Sequence, residues 1–156
     1  MSTAVERFVA SARAFGIEPV VRRFPQGTKT ARDAADAIGC DVGQIVKSLV
    51  FMADDTPVMA FTSGANRVDP AKLAAAVGAA SVRRATPEEA RAATGFAVGG
   101  TPPFGHPTRL PAVVDPDLLQ WERVWAAAGA PDAVFPLRPQ ELLAATEARP
   151  ADLAEA

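Results

Sequence analysis

Two β-branched and aromatic runs separated by a short acidic turn restrict the possible folds more than any other feature of the sequence. Val46 to Met52 form the first run, Asp54 and Asp55 provide the turn, and Val58 to Thr62 form the second run. Runs of this composition predict strands, and at this spacing they predict an antiparallel hairpin. Parallel strands would need a much longer crossover between them, so the hairpin argues against a purely parallel sheet.

Capping residues and glycines mark the ends of short helices on both sides of this hairpin. An acceptor side chain before an apolar run, with proline at the first helical position or glycine at the end, indicates a helix boundary. The helices predicted on this basis run from Ser2 or Thr3 to the residue before Gly16, from Thr30 to Gly39, from Asp69-Pro70 to Gly78, from Thr86-Pro87 to Gly95, and onward from Pro139. Asp41 with Gln44 predicts one further helical turn.

Further short β-prone runs complete the prediction of a single α+β domain. Besides the hairpin, the predicted strands and turn are Pro19 to Phe24, the Gln26-Gly27 turn, Ser81 to Arg84, Ala112 to Asp115, Arg123 to Ala127 and Ala133 to Leu137. Helices and strands alternate and several connections are short, so we expect a mixed, mostly antiparallel central sheet flanked by helices. We expect one domain over residues 1–146 and a fraying tail over residues 147–156, which are rich in Ala, Glu and Pro.

The overall charge restricts how the chain can bind nucleic acid. Its formal net charge of −2 does not create the global positive field that drives sequence-blind binding, so any RNA contact must be local. One candidate is a basic patch formed by Arg22, Arg23, Lys29, Arg32, Lys72, Arg83 and Arg84. The alternative is that these side chains form an ordinary solvated face.

A single cysteine and the lack of long apolar runs favour a cytoplasmic protein. Cys40 has no partner for an internal disulfide, and no signal peptide precedes the first predicted helix. No apolar run reaches the roughly 20 residues of a membrane span, so we expect no membrane role. Cys40 is expected to be a buried structural thiol.

Lys47 is a charged residue inside an otherwise apolar strand. The two-residue period of a strand places it on one face with Leu49 and Phe51, and places Ser48 on the opposite face. Burying an ammonium group is costly unless it reaches water, a carboxylate or an anionic ligand, so one interpretation is a polar cleft. The other is a lysine whose amine simply extends to solvent at the rim of the sheet.

The segment from Thr94 to His106 contains four glycines and two prolines and predicts no regular element. Glycine allows main-chain conformations closed to other residues and lets a ligand approach the backbone, while proline stiffens the chain. The segment therefore suits a preformed loop whose main-chain groups are functional, although a purely structural turn fits the same pattern. Its glycine spacing is that of neither a Walker loop nor a dinucleotide-binding motif.

The inventory of reactive side chains argues against a metal enzyme and against a serine hydrolase. His106 is the only histidine, and the sequence has no HExxH or CxxC pattern, so no metal or other cofactor is expected. There is no GxSxG elbow, and a triad would have to combine His106 with an unsupported serine such as Ser48 or Ser63. His106 remains a candidate for lining a pocket.

Two separated motifs give the chain a family resemblance. Gln44 to Leu49, followed by Thr94 to Gly105, resembles the YbaK/ProX family of freestanding relatives of the editing domain inserted in bacterial prolyl-tRNA synthetases. A looser similarity extends from the first helix to about residue 146 and includes Leu110 to Asp115. The resemblance implies a YbaK-like fold and a trans-editing aminoacyl-tRNA deacylase, which hydrolyses the ester of a mischarged tRNA.

The resemblance also implies roles for particular residues. Lys47 would bind the phosphate or carbonyl end of the substrate through its charge, and the main chain of Gly99 and Gly100 would position the attacking water, helped by the ribose 2′-hydroxyl. An aminoacyl ester is already activated, so orientation and stabilisation of the oxyanion would suffice without a protein nucleophile. The substrate-binding candidates are Thr28, Thr30, Ser63, Asn66, Pro103, Phe104, Gly105 and His106.

The identity of the amino acid rests on weaker similarities. Residues 28–31 and 62–69 resemble those of family members that act on seryl- and threonyl-tRNA, and alanyl-tRNA is a further candidate. Phe24 stands where cysteine-specific relatives have a tyrosine, which makes cysteinyl-tRNA a poorer candidate. The expected partners are the aminoacyl-adenosine end of tRNA and an aminoacyl-tRNA synthetase.

Two other functions are consistent with the same motifs. A noncatalytic module of this fold could bind tRNA or a synthetase through the groove alone, although such a module would not need both Lys47 and the intact glycine loop. A hydrolase of another small ester or thioester is the third candidate. Release of amino acid from charged tRNA would distinguish the deacylase from both.

Overall fold

The computed structural model describes residues 3–25, 28 and 30–156. Its helices are α1 (Ala4–Arg13), α2 (Ala31–Ile38), α3 (Pro70–Val77), α4 (Pro87–Thr94) and α5 (Pro139–Thr146). Its strands are β1 (Arg22–Arg23), β2 (Val46–Ala53), β3 (Thr56–Ser63), β4 (Val82–Arg84), β5 (Ala112–Val114), β6 (Val124–Ala127), β7 (Ala133–Leu137) and β8 (Arg149–Pro150). Short 3₁₀ turns cover Val42–Gln44 and Pro116–Leu118.

Local capping chemistry sets the helix boundaries as the sequence predicts. Thr30, Asp69 and Thr86 each accept a hydrogen bond from a main-chain N–H in the first turn of α2, α3 and α4. Each of these helices ends at a glycine in the left-handed region, which a side chain would disfavour. At α1 the cap is Thr3, while the alternative Ser2 lies outside the described residues. The predicted starts of these helices are confirmed because capping depends only on neighbouring residues. The predicted end of α1 before Gly16 is wrong by two residues, because the helix ends at Arg13 with Ala14 as its C-cap.

The strands form two sheets. β4, β2, β3, β5 and β8 lie in this order in a mixed sheet, with β2 and β3 paired antiparallel from Val46–Ser63 to Ala53–Thr56. β1, β7 and β6 form a separate antiparallel sheet, joined to the first by a parallel bridge between Ile45 and Trp125. The α+β class is confirmed. The division into two sheets was not predicted, because strand partners far apart in the chain leave no local signal in the sequence.

The hairpin of β2 and β3 is buried on both faces. Val46 and Val50 face the main core, which contains Phe8 and Phe135, both fully buried. Phe51 faces a second core formed with α3 and the C-terminal segment. Burying apolar groups on both faces stabilises the hairpin and fixes its register, since a slip by one residue would exchange the faces.

The C-terminal segment is ordered, so the prediction that it frays is wrong. β8 pairs in parallel with β5, and Leu153 is completely buried in the second core. Lys72 donates from Nζ to the carbonyl of Ala154 at 2.7 Å. One well-placed leucine and main-chain pairing outweigh the low apolar content of the tail. The boundary at residue 146 stays a prediction.

The predicted strand from Pro19 to Phe24 is shorter than expected, because only Arg22–Arg23 pairs with β7. The predicted Gln26-Gly27 turn and Lys29 lie outside the described residues. Among the helices that the structure describes, none has the length and apolar character of a membrane span.

Candidate active site

A cavity of about 670 Å³ lies between the two sheets. Its walls come from α2, the first half of β2, the start of α4, the loop around Gly99, and β6 with the turn that follows it. Pockets of this size usually bind small molecules or parts of larger ligands. The cavity is therefore the candidate site.

The cavity exists because β2 has a neighbour on only part of its outer edge. β4 pairs with β2 from Phe51 to Ala53, and beyond it Ala85 N–H donates to the carbonyl of Val50 at 3.1 Å. Because main-chain groups alternate in direction along a strand, those of Ser48 also point away from β3. No strand continues β4 beside Ser48 in the described part of the chain, and this side opens into the cavity.

Lys47 lies on the wall of this cavity. Its ammonium group donates to the main-chain carbonyl of Asn66 at 2.5 Å. Burial and then the charges of Arg67 and Arg84 lower the pKa of Lys47, while Asp115 opposes them. The amine is thus held as a hydrogen-bond donor near two other cations, an arrangement that attracts an anion.

The charged side chains that line the cavity are all cationic among the residues described: Arg32, Lys47 and Arg84. The Arg84 guanidinium lies over the ring of Phe51, 5.6 Å from its centroid. Cations gathered in a concave site create a positive potential that attracts phosphate.

The predicted basic patch divides into engaged and free members. Arg23 pairs with Asp132, Lys72 with Asp152, and Arg83 with Glu89, so these three cations have protein partners. Arg22 lies over the rings of Phe24 and Trp125, and Lys29 lies outside the described residues. Arg32 and Arg84 are the patch members that line the cavity. The local cationic site is therefore smaller than the sequence indicates.

Gly99 and Gly100 have different structural reasons for being glycine. Gly99 lines the cavity with a φ of +91°, a conformation that side chains disfavour. Gly100, also predicted to position the water, does not line the cavity; a Cβ atom there would lie 2.8 Å from the Cα of Ala130, so only glycine allows the loop to pack this closely. Thr101 strengthens the turn by donating from Oγ1 to the Ala97 carbonyl at 3.1 Å.

The second half of the loop from Thr94 to His106 lies away from the large cavity. Pro103, Phe104, Gly105 and His106 line a different cavity of about 220 Å³. Phe104 is 3% exposed and packs in the main core. Burial lowers the pKa of His106, whose Nε2 lies 2.8 Å from the Pro102 carbonyl. These four predicted substrate-binding residues are not on the wall of the large cavity, because the loop turns away into the core after Thr101.

The other predicted substrate-binding residues also divide into two groups. Thr28 and Thr30 line the cavity, where Thr28 donates to the carbonyl of Pro131 and Thr30 caps α2. Ser63 and Asn66 lie behind Lys47 rather than on the cavity wall. Ser63 is buried and donates from Oγ to the Gly43 carbonyl at 2.9 Å.

Ser48 is a lining residue that the sequence reasoning did not select. Its hydroxyl oxygen is buried, and no hydrogen-bond partner for it occurs among the residues that the structure describes. An unpaired buried hydroxyl is costly, and of the two that occur among the described residues, on Ser48 and Thr62, only that of Ser48 belongs to a residue lining the cavity. The two-residue period of the strand correctly places Ser48 on the face opposite Lys47. It gives no indication that the edge of the strand beside Ser48 is open.

The described residues do not assemble the common alternatives to this site. Across residues 3–25, 28 and 30–156, no group of three or more His, Cys, Asp or Glu is placed to hold a metal ion. His106 lines the small cavity while Ser48 lines the large one, so the structure does not pair them as a triad. Burial and then Asp41 raise the pKa of the Cys40 thiol, which disfavours the nucleophilic thiolate.

Comparisons with known proteins agree on one family. The profile described as "Aminoacyl-tRNA editing domain" matches residues 25–145. A protein of Enterococcus faecalis named as a Cys-tRNA(Pro)/Cys-tRNA(Cys) deacylase, EbsC, is 29% identical over 80% of this chain and 76% of its own length. A proline–tRNA ligase of Heliobacterium modesticaldum is 30% identical over 74% of this chain but only 20% of its own length.

Solved structures show the same relationship over the full length. A crystal structure described as a trans-editing enzyme for prolyl-tRNA synthetase superposes with a TM-score of 0.93, at 47% identity, covering 100% of this chain and 99% of that one. The resemblance to editing domains extends from two short motifs to the whole fold.

Proposed function

The chain belongs to the aminoacyl-tRNA editing domain family, and from this premise we propose that it frees a small, wrongly attached amino acid from tRNA at the cavity beside Lys47. It is a hydrolase that acts on aminoacyl-tRNA. The observation that carries the assignment of the site is that Lys47 and Gly99 line one ligand-sized cavity.

The cationic side chains of the cavity bind the phosphate next to the terminal adenosine. Lys47 already donates to a carbonyl and retains two further N–H groups for an anionic ligand. Arg84 and Arg32 line the same cavity and add positive charge. Binding the phosphate fixes the ribose, and with it the ester, at a defined position relative to the loop.

Hydrolysis needs an oriented water rather than a protein nucleophile. Water attacks the ester carbonyl, a carbon–oxygen bond forms, and the bond to the ribose oxygen breaks as that oxygen takes a proton. The main chain around Gly99 is exposed to the cavity and orients the water, with the neighbouring ribose hydroxyl as a further donor and acceptor. Lys47 acts as a cation and not as a general base.

The remaining lining favours a small amino acid. Ala31, Ala34, Ala126 and Ala127 bring only short side chains to the cavity, and the unpartnered Ser48 hydroxyl supplies a polar contact. We assign serine, threonine or alanine as the amino acid, because the short lining side chains fit all three, and a serine or threonine hydroxyl would complete the hydrogen bond of Ser48.

Proline tRNA is the proposed carrier. The names of the relatives support it, because one is a deacylase of Cys-tRNA(Pro) and another is described as a trans-editing enzyme for prolyl-tRNA synthetase. The chain spans about a fifth of the proline–tRNA ligase it matches, and the ligation activity of that enzyme is not part of the proposal. A prolyl-tRNA synthetase is the proposed protein partner.

A deacylation assay on a matched panel tests this assignment. Proline tRNA charged separately with alanine, serine, threonine, cysteine and proline is incubated with the protein, and the release of free amino acid is measured. We expect release from at least one of the first three and none from the prolyl form. Faster release of cysteine than of all three would overturn the amino-acid assignment, and no release from any substrate would overturn the function.

A further inference from the structure

Asp115 is a buried carboxylate without an obvious stabilising cation. It follows β5 directly and is 2% exposed, and no salt bridge to it occurs among the residues described. Burying an unpaired charge is costly unless hydrogen bonds compensate for the lost water. A position of this kind therefore needs an explanation beyond packing.

The carboxylate is held by donors from two separate segments. One oxygen, Oδ2, accepts from Ser63 N–H at 3.1 Å and from the side-chain amide of Asn66 at 2.8 Å. The other, Oδ1, accepts from Asp117 N–H at 2.9 Å and caps the 3₁₀ turn that follows β5. Asp115 thus ties the end of β3 and the turn after it to the end of β5.

Asn66 connects this carboxylate to Lys47. Its main-chain N–H donates to the Ser63 carbonyl at 2.9 Å, which closes the turn, and its own carbonyl accepts from the Lys47 ammonium. The NH2 group of its side-chain amide is engaged, because it donates to Asp117 at 2.8 Å as well as to Asp115. The side chain that sequence similarity indicated as a substrate contact is occupied by two carboxylates.

We infer that Asp115, acting through Asn66, is a positioning residue that holds the Lys47 ammonium at the cavity wall for the substrate phosphate. This inference rests on the proposed function, since it assigns a role within that site. Without the clamp, the carbonyl of Asn66 would lose its fixed place. The lysine side chain would then populate several rotamers, and few of these would bring its ammonium group within hydrogen-bonding distance of the phosphate.

Electrostatics support the same role. The charged groups that act on Lys47 are Arg67 and Arg84, which repel it, and Asp115, which attracts it. Asp117 contributes through its contact with Asn66, and Arg32 lines the cavity in front. Asp115 opposes the lowering of the Lys47 pKa and so extends to higher pH the range in which the amine carries its charge.

The test is the substitution Asp115→Asn, measured as deacylation of the substrate that the panel identifies. The amide keeps the shape of the carboxylate but removes the charge, and its NH2 group faces at least one of the three donors. We expect KM to rise by about tenfold while kcat changes much less, as for loss of one charge-assisted hydrogen bond to a binding group. We also expect the alkaline limb of kcat/KM, corrected for uncatalysed hydrolysis, to move to lower pH.

A matched control separates positioning from folding. Asp54 also accepts two main-chain N–H bonds, from Ala80 and Ser81, but lies at the opposite end of the hairpin from Asn66. Asp54→Asn should leave KM and the pH profile unchanged. If Asp115→Asn does not fold, Asn66→Ala provides the second variant, because it removes the side-chain link while keeping the main-chain carbonyl, and the same rise in KM is expected.

The outcomes distinguish this inference from the proposed function. A folded Asp115→Asn protein with unchanged KM and an unchanged alkaline limb would overturn the positioning role, even if Lys47→Ala is inactive. If Lys47→Ala retains full activity, the site itself is wrong and the proposed function fails at this cavity. A third outcome would also overturn the inference. If Asp115→Asn lowers both kcat and the melting temperature but leaves the alkaline limb of kcat/KM in place, Asp115 is only a structural cap.

Discussion

The two halves of β2 have similar sequences but different surroundings. From Phe51 to Ala53 the strand has a neighbour on each edge and packs into the second core, where its role is structural. From Val46 to Val50 it pairs with β3 alone, and the free edge opens into the cationic cavity. Both halves have main-chain groups to satisfy, and only the half from Phe51 to Ala53 satisfies them on both edges within the fold. The difference shows that the candidate site lies where the pairing of β2 with β4 stops.

Truncating one core side chain that packs against the paired half of β2 gives the largest expected effect. Leu73 is completely buried against this half from α3. Leu73→Ala should lower the free energy of unfolding by about 2–5 kcal/mol, because it removes buried apolar atoms and leaves a cavity. Denaturant unfolding measures this loss. Below the unfolding transition, kcat/KM should stay close to the wild-type value. A large loss of activity there would contradict the view that the paired half of β2 is only structural.

Displacing the loop that faces the open half gives the next largest effect. Gly100→Val places a branched side chain against the main chain of Ala130, which cannot move aside without disturbing the turn between β6 and β7. We expect kcat to fall by about a hundredfold, as when a catalytic element moves by about 1 Å. Single-turnover deacylation is the measurement. A wild-type rate in a folded protein would show that the loop is only a scaffold.

Removing the free hydroxyl of the open half gives the smallest effect. Ser48→Ala should change the ratio of kcat/KM between seryl- and alanyl-tRNA by about tenfold in favour of alanine, because the hydroxyl no longer completes a hydrogen bond with serine. Stability should hold or rise slightly, since an unpaired buried group is lost. The ratio is obtained from competition between the two substrates, and an unchanged ratio would remove Ser48 from the specificity contacts.

The features that the sequence predicts correctly depend on near neighbours. The caps at Thr30, Asp69 and Thr86 and the hairpin turn at Asp54-Asp55 follow from side chains within a few residues, and the structure confirms them. The two-residue period of the strand likewise predicts that Lys47, Leu49 and Phe51 lie on one face. These signals are sufficient for the fold class and for one wall of the site.

The features that the sequence does not predict depend on distant contacts. Whether β4 extends beside Ser48, and so whether the edge of β2 is open there, depends on pairing between strands that are far apart in the chain. The burial of Leu153 requires a space beneath α3 that no local pattern reveals. In the same way, Phe104 belongs to the main core because α1 and β7 place Phe8 and Phe135 around it.

The most direct test of the site compares two lysines in one assay. Lys47 lines the cavity, whereas Lys72 is bound by Asp152 and the carbonyl of Ala154 away from it. Deacylation rates of Lys47→Ala and Lys72→Ala are measured on the best substrate of the panel, with circular dichroism to establish folding. The account predicts a loss of at least about a hundredfold for Lys47→Ala, as for removal of a main electrostatic contact, and a near wild-type rate for Lys72→Ala. Equal rates in the two variants would contradict it.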